Sequence, residues 1–164
     1  MKKTLLSAAA LLFLSSPVFA QAASDTATVT VSAAVNAKAK LTLGANTVSF
    51  PDADPTATPS IVATALTVDV KARTSSAGSV TLTVLSGGDF VSGSDSIGIA
   101  NLTWTASGSG MAAGTMSKTT AQALGTWAGS GNHTGMTQTY ALANSWTYAT
   151  GAYSASITYT LTAP

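Results

Sequence analysis

Between Ala27 and Leu43 every odd position is apolar: Ala27, Val29, Val31, Ala33, Val35, Ala37, Ala39, Leu41 and Leu43. The even positions are Thr28, Thr30, Ser32, Ala34, Asn36, Lys38, Lys40 and Thr42. A period of two puts successive side chains on opposite faces of an extended chain, where a helix would repeat every 3.6 residues. Seventeen residues of it would extend about 56 Å at about 3.3 Å per residue, whereas strands in compact domains commonly run about five or six residues. A chain of 164 residues is one domain's worth and is too small to cover so long a ribbon along its whole apolar edge. Two arrangements resolve the conflict. In one, the segment bends near Ala34 to Ala37, where side chains are small, and passes between sheets as a split first strand. In the other, Thr26 to Val35 completes the sheet of a neighbouring copy, and Ala39 to Leu43 begins the local fold. Val29, Val31, Ala33 and Val35 are then the strand-exchange residues, since an added strand takes affinity from its backbone and register from alternate side chains.

The rest of the chain repeats the pattern. Leu66, Val68, Val70 and Ala72 alternate with Thr67, Asp69, Lys71 and Arg73. Val80, Leu82 and Val84 alternate with Ser79, Thr81 and Thr83, and Tyr153, Ala155, Ile157, Tyr159 and Leu161 with Ser and Thr. Met136, Gln138, Tyr140 and Leu142 mark a further strand. Thr74 to Gly78 predicts a hairpin connection, and the change of parity across Ala100-Asn101 predicts a bulge or a strand break. Pro51, Pro55 and Pro59 make 51–59 a loop, because proline has no N–H for a ladder. The glycine-rich stretch from Ser107 to Gly135 reads as a long excursion, with Thr119 to Leu124 compatible with a short helix. From Gln21 onward there are 26 Thr and 18 Ser, and glutamate is absent from the chain. β-branched Thr suits a pleated surface. The fold class expected is all-β: an antiparallel immunoglobulin-like β-sandwich of about eight strands, with an up-and-down barrel as the alternative.

Residues 1–20 are expected to be a cleaved export signal: Lys2 and Lys3, an apolar run from Leu5 to Leu14, Pro17, and small residues up to Ala20. That run is about half the length a bilayer crossing needs, and no later stretch is long and apolar enough, so no membrane span is expected. The domain layout is then 1–20 signal, 21–36 N-terminal extended segment and 37–164 sandwich, with the product exported to the periplasm, cell surface or medium. Without cysteine, disulfides, thiolate metal sites and cysteine nucleophiles are excluded. Lys38, Lys40, Lys71, Arg73 and Lys118 face Asp25, Asp52, Asp54, Asp69, Asp89 and Asp95. Five minus six leaves the segment after the signal at −1, which points away from nucleic acid and leaves little repulsion between copies.

The signal, the early alternating segment, the Thr/Ser/Gly-rich strands and the ending Gly151-Ala152-Tyr153-Ser154-Ala155-Ser156-Ile157-Thr158-Tyr159-Thr160-Leu161-Thr162 resemble secreted immunoglobulin-like subunits of bacterial surface fibres, the pilin-like and spore-coat-U-like families. The ending is also similar to the closing strand of WxL-type cell-surface domains, with Tyr159-Thr160-Leu161 standing where those have Trp-x-Leu. Ala163 stands where chaperone-assembled pilins commonly carry Tyr, and the pilin disulfide is missing. The fibre likeness implies a structural subunit without catalytic residues.

Residue by residue, chemistry is sparse. The single histidine, His133, has no G-x-S-x-G elbow to serve. Asp52 with Asp54, and Asp89 with Asp95, are weak calcium candidates that match no EF-hand and read more simply as turn-forming pairs. No catalytic residue and no cofactor is expected. Trp127 and Trp146, near glycine-rich or turn segments, are candidates for stacking on a surface polymer. The expected function is a non-catalytic secreted structural subunit of a surface fibre, pilus or matrix, assembling by strand pairing with itself or other fibre subunits. The alternative is a monomeric module that binds a cell wall or glycan through the two tryptophans.

Overall fold

The computed structural model describes residues 24–164; the expected export signal, residues 1–20, lies outside them. The chain divides into two units at Ala33/Ala34. In the first, residues 24–33 carry no strand and are exposed throughout, with Val29 at 82% and Val31 at 88% of full exposure. The second unit holds the strands. In chain order these are β1 (Lys38–Leu43), β2 (Ser60–Val62), β3 (Leu66–Arg73), β4 (Ser79–Ser86), β5 (Phe90–Ser92), β6 (Asp95–Ile97), β7 (Leu102–Ser107), β8 (Gly114–Thr115), β9 (Gln122–Ala128), β10 (Gly131–Ala143) and β11 (Ile157–Thr162). Among the described residues there is no α-helix, and none is long and apolar enough to cross a membrane.

Two antiparallel sheets face each other in a sandwich-like arrangement. One has the order β1-β3-β10-β7-β8, with β2 beside the end of β10; the other is β11-β4-β9. β5 and β6 form a small hairpin of their own. The alternation seen in the sequence sets which side chains meet. Val68 and Val70 of β3, Trp104 of β7 and Met136 and Tyr140 of β10 face Val80, Leu82 and Val84 of β4 and Leu124 and Trp127 of β9 in one core. Their hydroxyl-bearing neighbours point outward.

Three local expectations are corrected. The segment Thr74 to Gly78 is not a hairpin, because β3 and β4 lie in different sheets. Both strands turn apolar side chains toward the core, so the connection arches from one sheet to the other. Ser130 Oγ steadies it, accepting from Thr74 N (2.9 Å) and donating to Thr74 O (3.0 Å). The stretch 107–135 is not one excursion: it holds β8, β9 and the start of β10. Thr119 to Leu124 forms no helix, since Gln122 to Ala128 pairs with β4. Gly125 makes that strand fit, because a Cβ there would strike the Trp127 ring. The parity change at Ala100-Asn101 is a strand break, where a single 3-10 turn over Ile99–Asn101 separates β6 from β7.

The same two-residue pattern reaches different depths in different strands. Leu82 on the central strand β4 is fully buried, whereas Leu161 on the edge strand β11 is only partly covered. Leu82→Ala should therefore lower stability by about 2–5 kcal/mol, and Leu161→Ala by less than half as much. Urea unfolding of the two variants beside the parent checks this.

Candidate functional site

The two sides of the sandwich are finished differently. On one side residues 108–117 lace the sheets together through backbone bonds. Ala112 N donates to Leu124 O (2.8 Å), Thr126 N to Gly110 O (2.9 Å), Met116 N to Leu102 O (2.8 Å) and Ser86 N to Ser117 O (2.9 Å). Two indoles reinforce the lacing: Trp104 Nε1 donates to Ala112 O (2.9 Å) and Trp127 Nε1 to Ser109 O (2.7 Å). Gly110 has φ +81°, and a Cβ there would come 2.5 Å from Trp127 Nε1. The glycine serves both the turn and the ring.

The opposite side ends in β1 and β11, which approach each other across the two sheets. Thr74 Oγ1 donates to Pro164 O beside the start of β1, so the end of β11 meets that start and the two strands run antiparallel. Gly44 N donates to Thr67 O (2.9 Å), which continues the β1–β3 ladder. Antiparallel bonding alternates, so the N–H and C=O groups of Ala39, Leu41 and Leu43 point away from β3, toward the open side. Gly87 N donates to Ser156 O (2.9 Å) in the same way, so the backbone groups of Ile157, Tyr159 and Leu161 point away from β4. The side chains of Leu41, Leu43, Ile157, Tyr159 and Leu161 pack against the core yet stay partly exposed. Among the described residues the seam is thus a pair of unpaired strand edges over a half-covered apolar row.

Toward the ends of β1 and the beginning of β11 the seam widens into a cleft of about 1090 Å³, lined by Leu43, Val48, Phe50, Phe90, Tyr153 and Ile157 among others. Phe50 meets Phe90 edge-to-face with ring centres 6.5 Å apart. At its floor Tyr140 and Tyr159 share a hydrogen bond of 2.7 Å, and Tyr159 Oη donates to Gln138 Oε1 (2.7 Å). Gln138 is fully buried, and its Nε2 has no hydrogen-bond partner among the described residues. Burial raises the pKa of both phenols; for Tyr159 the neighbouring Tyr140 adds to it, and for Tyr140 the bonds to Tyr159 and Gln138 offset part of it.

The sequence candidates fall in separate places. Val29, Val31, Ala33 and Val35 are exposed and lie in no strand, Val35 at 70%. No split first strand is formed in this structure: among residues 24–43, only Lys38–Leu43 is a strand. Trp127 is buried at 5% and stacks on His133, ring centres 5.1 Å apart at 22°. Its indole faces are therefore spent on packing, which corrects its reading as a surface-binding residue. Trp146 is 71% exposed, with Nε1 bonded to Thr56 Oγ1 (3.1 Å). The calcium candidates do not converge. Asp54 Oδ1 accepts from Thr56 N (2.7 Å) and Ala57 N (3.3 Å) in a turn. Asp89 is paired with Lys118 at 2.5 Å and accepts from Ile99 N (2.9 Å), and these two contacts hold its carboxyl below the usual range. Among the described residues no three His, Asp or Glu side chains stand together. Sequence reasoning missed the cleft, whose lining comes mostly from the 44–55 and 143–155 loops, with side chains of β1, β5, β10 and β11 among the rest.

Comparison with protein-family models, with curated proteins and with solved structures finds no match to this chain.

The phenols give the site a pH signature. Their pKa values are higher folded than unfolded, so the folded state favours the neutral rings. That stabilisation is complete below the ordinary phenol value of 10.0 and drains away as pH rises through and above it. Tyr159→Phe should cost about 1–3 kcal/mol at neutral pH, because it strips partners from Tyr140 and buried Gln138. It should also flatten the alkaline fall in melting temperature, read by circular dichroism from pH 8 to 11.

Proposed function

We propose that this chain is a non-catalytic, exported structural subunit of a surface fibre, pilus or extracellular matrix, with an immunoglobulin-like sandwich whose copies join by strand pairing. The observation that carries the reading is a match within one chain. An exposed alternating segment, Thr26 to Val35, accompanies a seam whose two edges, among the described residues, offer unpaired backbone groups over an apolar row. A strand entering the seam at its wide end would bond Leu43 on one side and Ile157 on the other, and would reach Ala39, Leu41, Tyr159 and Leu161 by parting β1 from β11 where they approach. Because β1 and β11 run antiparallel, it lies antiparallel to one and parallel to the other. Its Val29, Val31 and Val35 would turn inward and its Thr28, Thr30 and Ser32 outward.

Magnitudes support pairing between copies. Burying three valines contributes about 5–9 kcal/mol, and about ten ladder bonds at about 0.5–1.5 kcal/mol each add a similar amount. Together these exceed an association cost of about 4–15 kcal/mol over most of its range. Pairing with the chain's own β1 would need a tight turn at Asn36-Ala37. The favoured hairpin turns demand positive φ, which alanine resists, and among the described residues only glycines have it.

Val31→Asp tests this without touching the sandwich, since Val31 is 88% exposed. The variant should fold and melt like the parent but associate at least about tenfold more weakly, as expected for losing one buried valine. Sedimentation velocity across micromolar to millimolar concentration reads the difference. A parent that stays monomeric throughout, and is no less stable after deletion of residues 21–35, would remove the assembly reading.

A further inference from the structure

The charge that the sequence spreads thinly is gathered by the strand register. Lys38 stands directly opposite Arg73, and Lys40 directly opposite Lys71, on β1 and β3. All four side chains are exposed. Five Lys and Arg occur after residue 20, so this one outer face holds four of them. The fifth, Lys118, forms the only ion pair among the described residues, with Asp89. Both cross-strand pairs belong to the hydrogen-bonded set fixed by Gly44 N and Thr67 O, which brings Cα atoms to about 5.5 Å. Alternate positions along a strand are about 7 Å apart. The result is a compact quartet of cations.

Like charges directly across a ladder destabilise a sheet, and this chain has few charges to place. Local relief is small. Asp69, opposite Thr42, is the one carboxylate on this face; its Oδ1 accepts from Gly135 N (2.7 Å) in the β10 bulge, and its charge offsets one of the four cations. Arg73 Nε donates to Asn36 O (2.8 Å), which fixes its stem beside the start of β1. Four cations against one carboxylate leave this face with an excess of three positive charges, a local cost of the kind that binding surfaces carry.

We propose that the outer face of β1 and β3 binds an anionic polysaccharide through Lys38, Lys40, Lys71 and Arg73. The surroundings select this class of polyanion. Thr42, Thr67 and Asn132, the last opposite Lys71, are exposed beside the quartet and offer hydroxyl and amide groups to sugar hydroxyls. The face carries no aromatic ring on which a nucleic-acid base could stack, and no apolar side chain to enter a bilayer. Arg73 supplies a planar fork suited to carboxylate or sulfate, and the lysines act as point charges. The surface shares β1 with the strand-exchange seam but uses the opposite set of its side chains, so its binding does not require assembly.

Heparin serves as the probe, with the full chain. It should bind with an affinity that falls steeply as salt rises. Lys40→Gln with Lys71→Gln should weaken binding about tenfold, and Lys118→Gln should leave it unchanged. The double variant should also melt at a higher temperature than the parent, because the cross-strand repulsion is gone; loss of binding through misfolding would lower it. Val31→Asp should keep heparin binding, so a failed assembly reading leaves this one standing. No retention on heparin at about 50 mM salt, or retention indifferent to the double substitution, overturns the proposal. Tighter binding to phosphatidylglycerol vesicles or to single-stranded DNA than to heparin overturns the assignment to polysaccharide.

Discussion

Backbone N–H and C=O groups at the edge of a sheet must bond to something, and the two sides of this sandwich meet that demand in opposite ways. Along β8 and β9 the demand is met internally. Residues 108–117 cross between sheets, and two tryptophans that are also core residues fasten them. Along β1 and β11 the demand is left open, and the apolar residues beneath are half-covered. With no cysteine in the chain, neither side can be held covalently. The closed side therefore fixes the spacing of the sheets, and the open side inherits that spacing as a slot.

At the floor of the slot, polar bonds join packing as a tie between the sheets. Tyr140 comes from β10 and Tyr159 from β11, and their hydroxyls meet at 2.7 Å with Gln138 beyond. An apolar contact at that point would favour collapse of β11 onto the first sheet. A directional pair of phenols holds a distance as well as supplying an attraction. Trp104, edge-on to Tyr140 with ring centres 6.4 Å apart, braces the same ring from the closed side. The core that seals one side thus sets the position of the groups that keep the other apart.

Much of the sheet was legible in the sequence because period two is a local property. Leu66 to Arg73 reads as a strand from its own residues, and it forms one. What was not legible depends on pairing. The arch at Thr74 to Gly78 has the composition of a hairpin turn, and only the partners of β3 and β4 distinguish the two. The strand Gln122 to Ala128 was hidden by Gly125, which weakens the apolar pattern but makes room for Trp127. The cleft has no signature along the chain, since its walls come from segments about a hundred residues apart. The basic quartet is an intermediate case. Lys38 and Lys40, and Lys71 and Arg73, are each visibly on one face, but only register brings the two pairs opposite each other.

Charge and assembly are connected through this placement. A chain whose net charge is near zero has little long-range repulsion to keep copies apart, which suits strand exchange. It also has few charges with which to hold a surface. Concentrating four cations on the outer face of β1 and β3 addresses both constraints, because the seam residues themselves are uncharged and the cations flank it on the solvent side. In the proposed fibre each copy would repeat the quartet once. A modest attraction per site would then become an avid one when several sites on a polymer meet several on a long polyanion. The cross-strand repulsion that a single copy bears is the same in every copy. Assembly multiplies its return in binding without adding to its cost in any one fold.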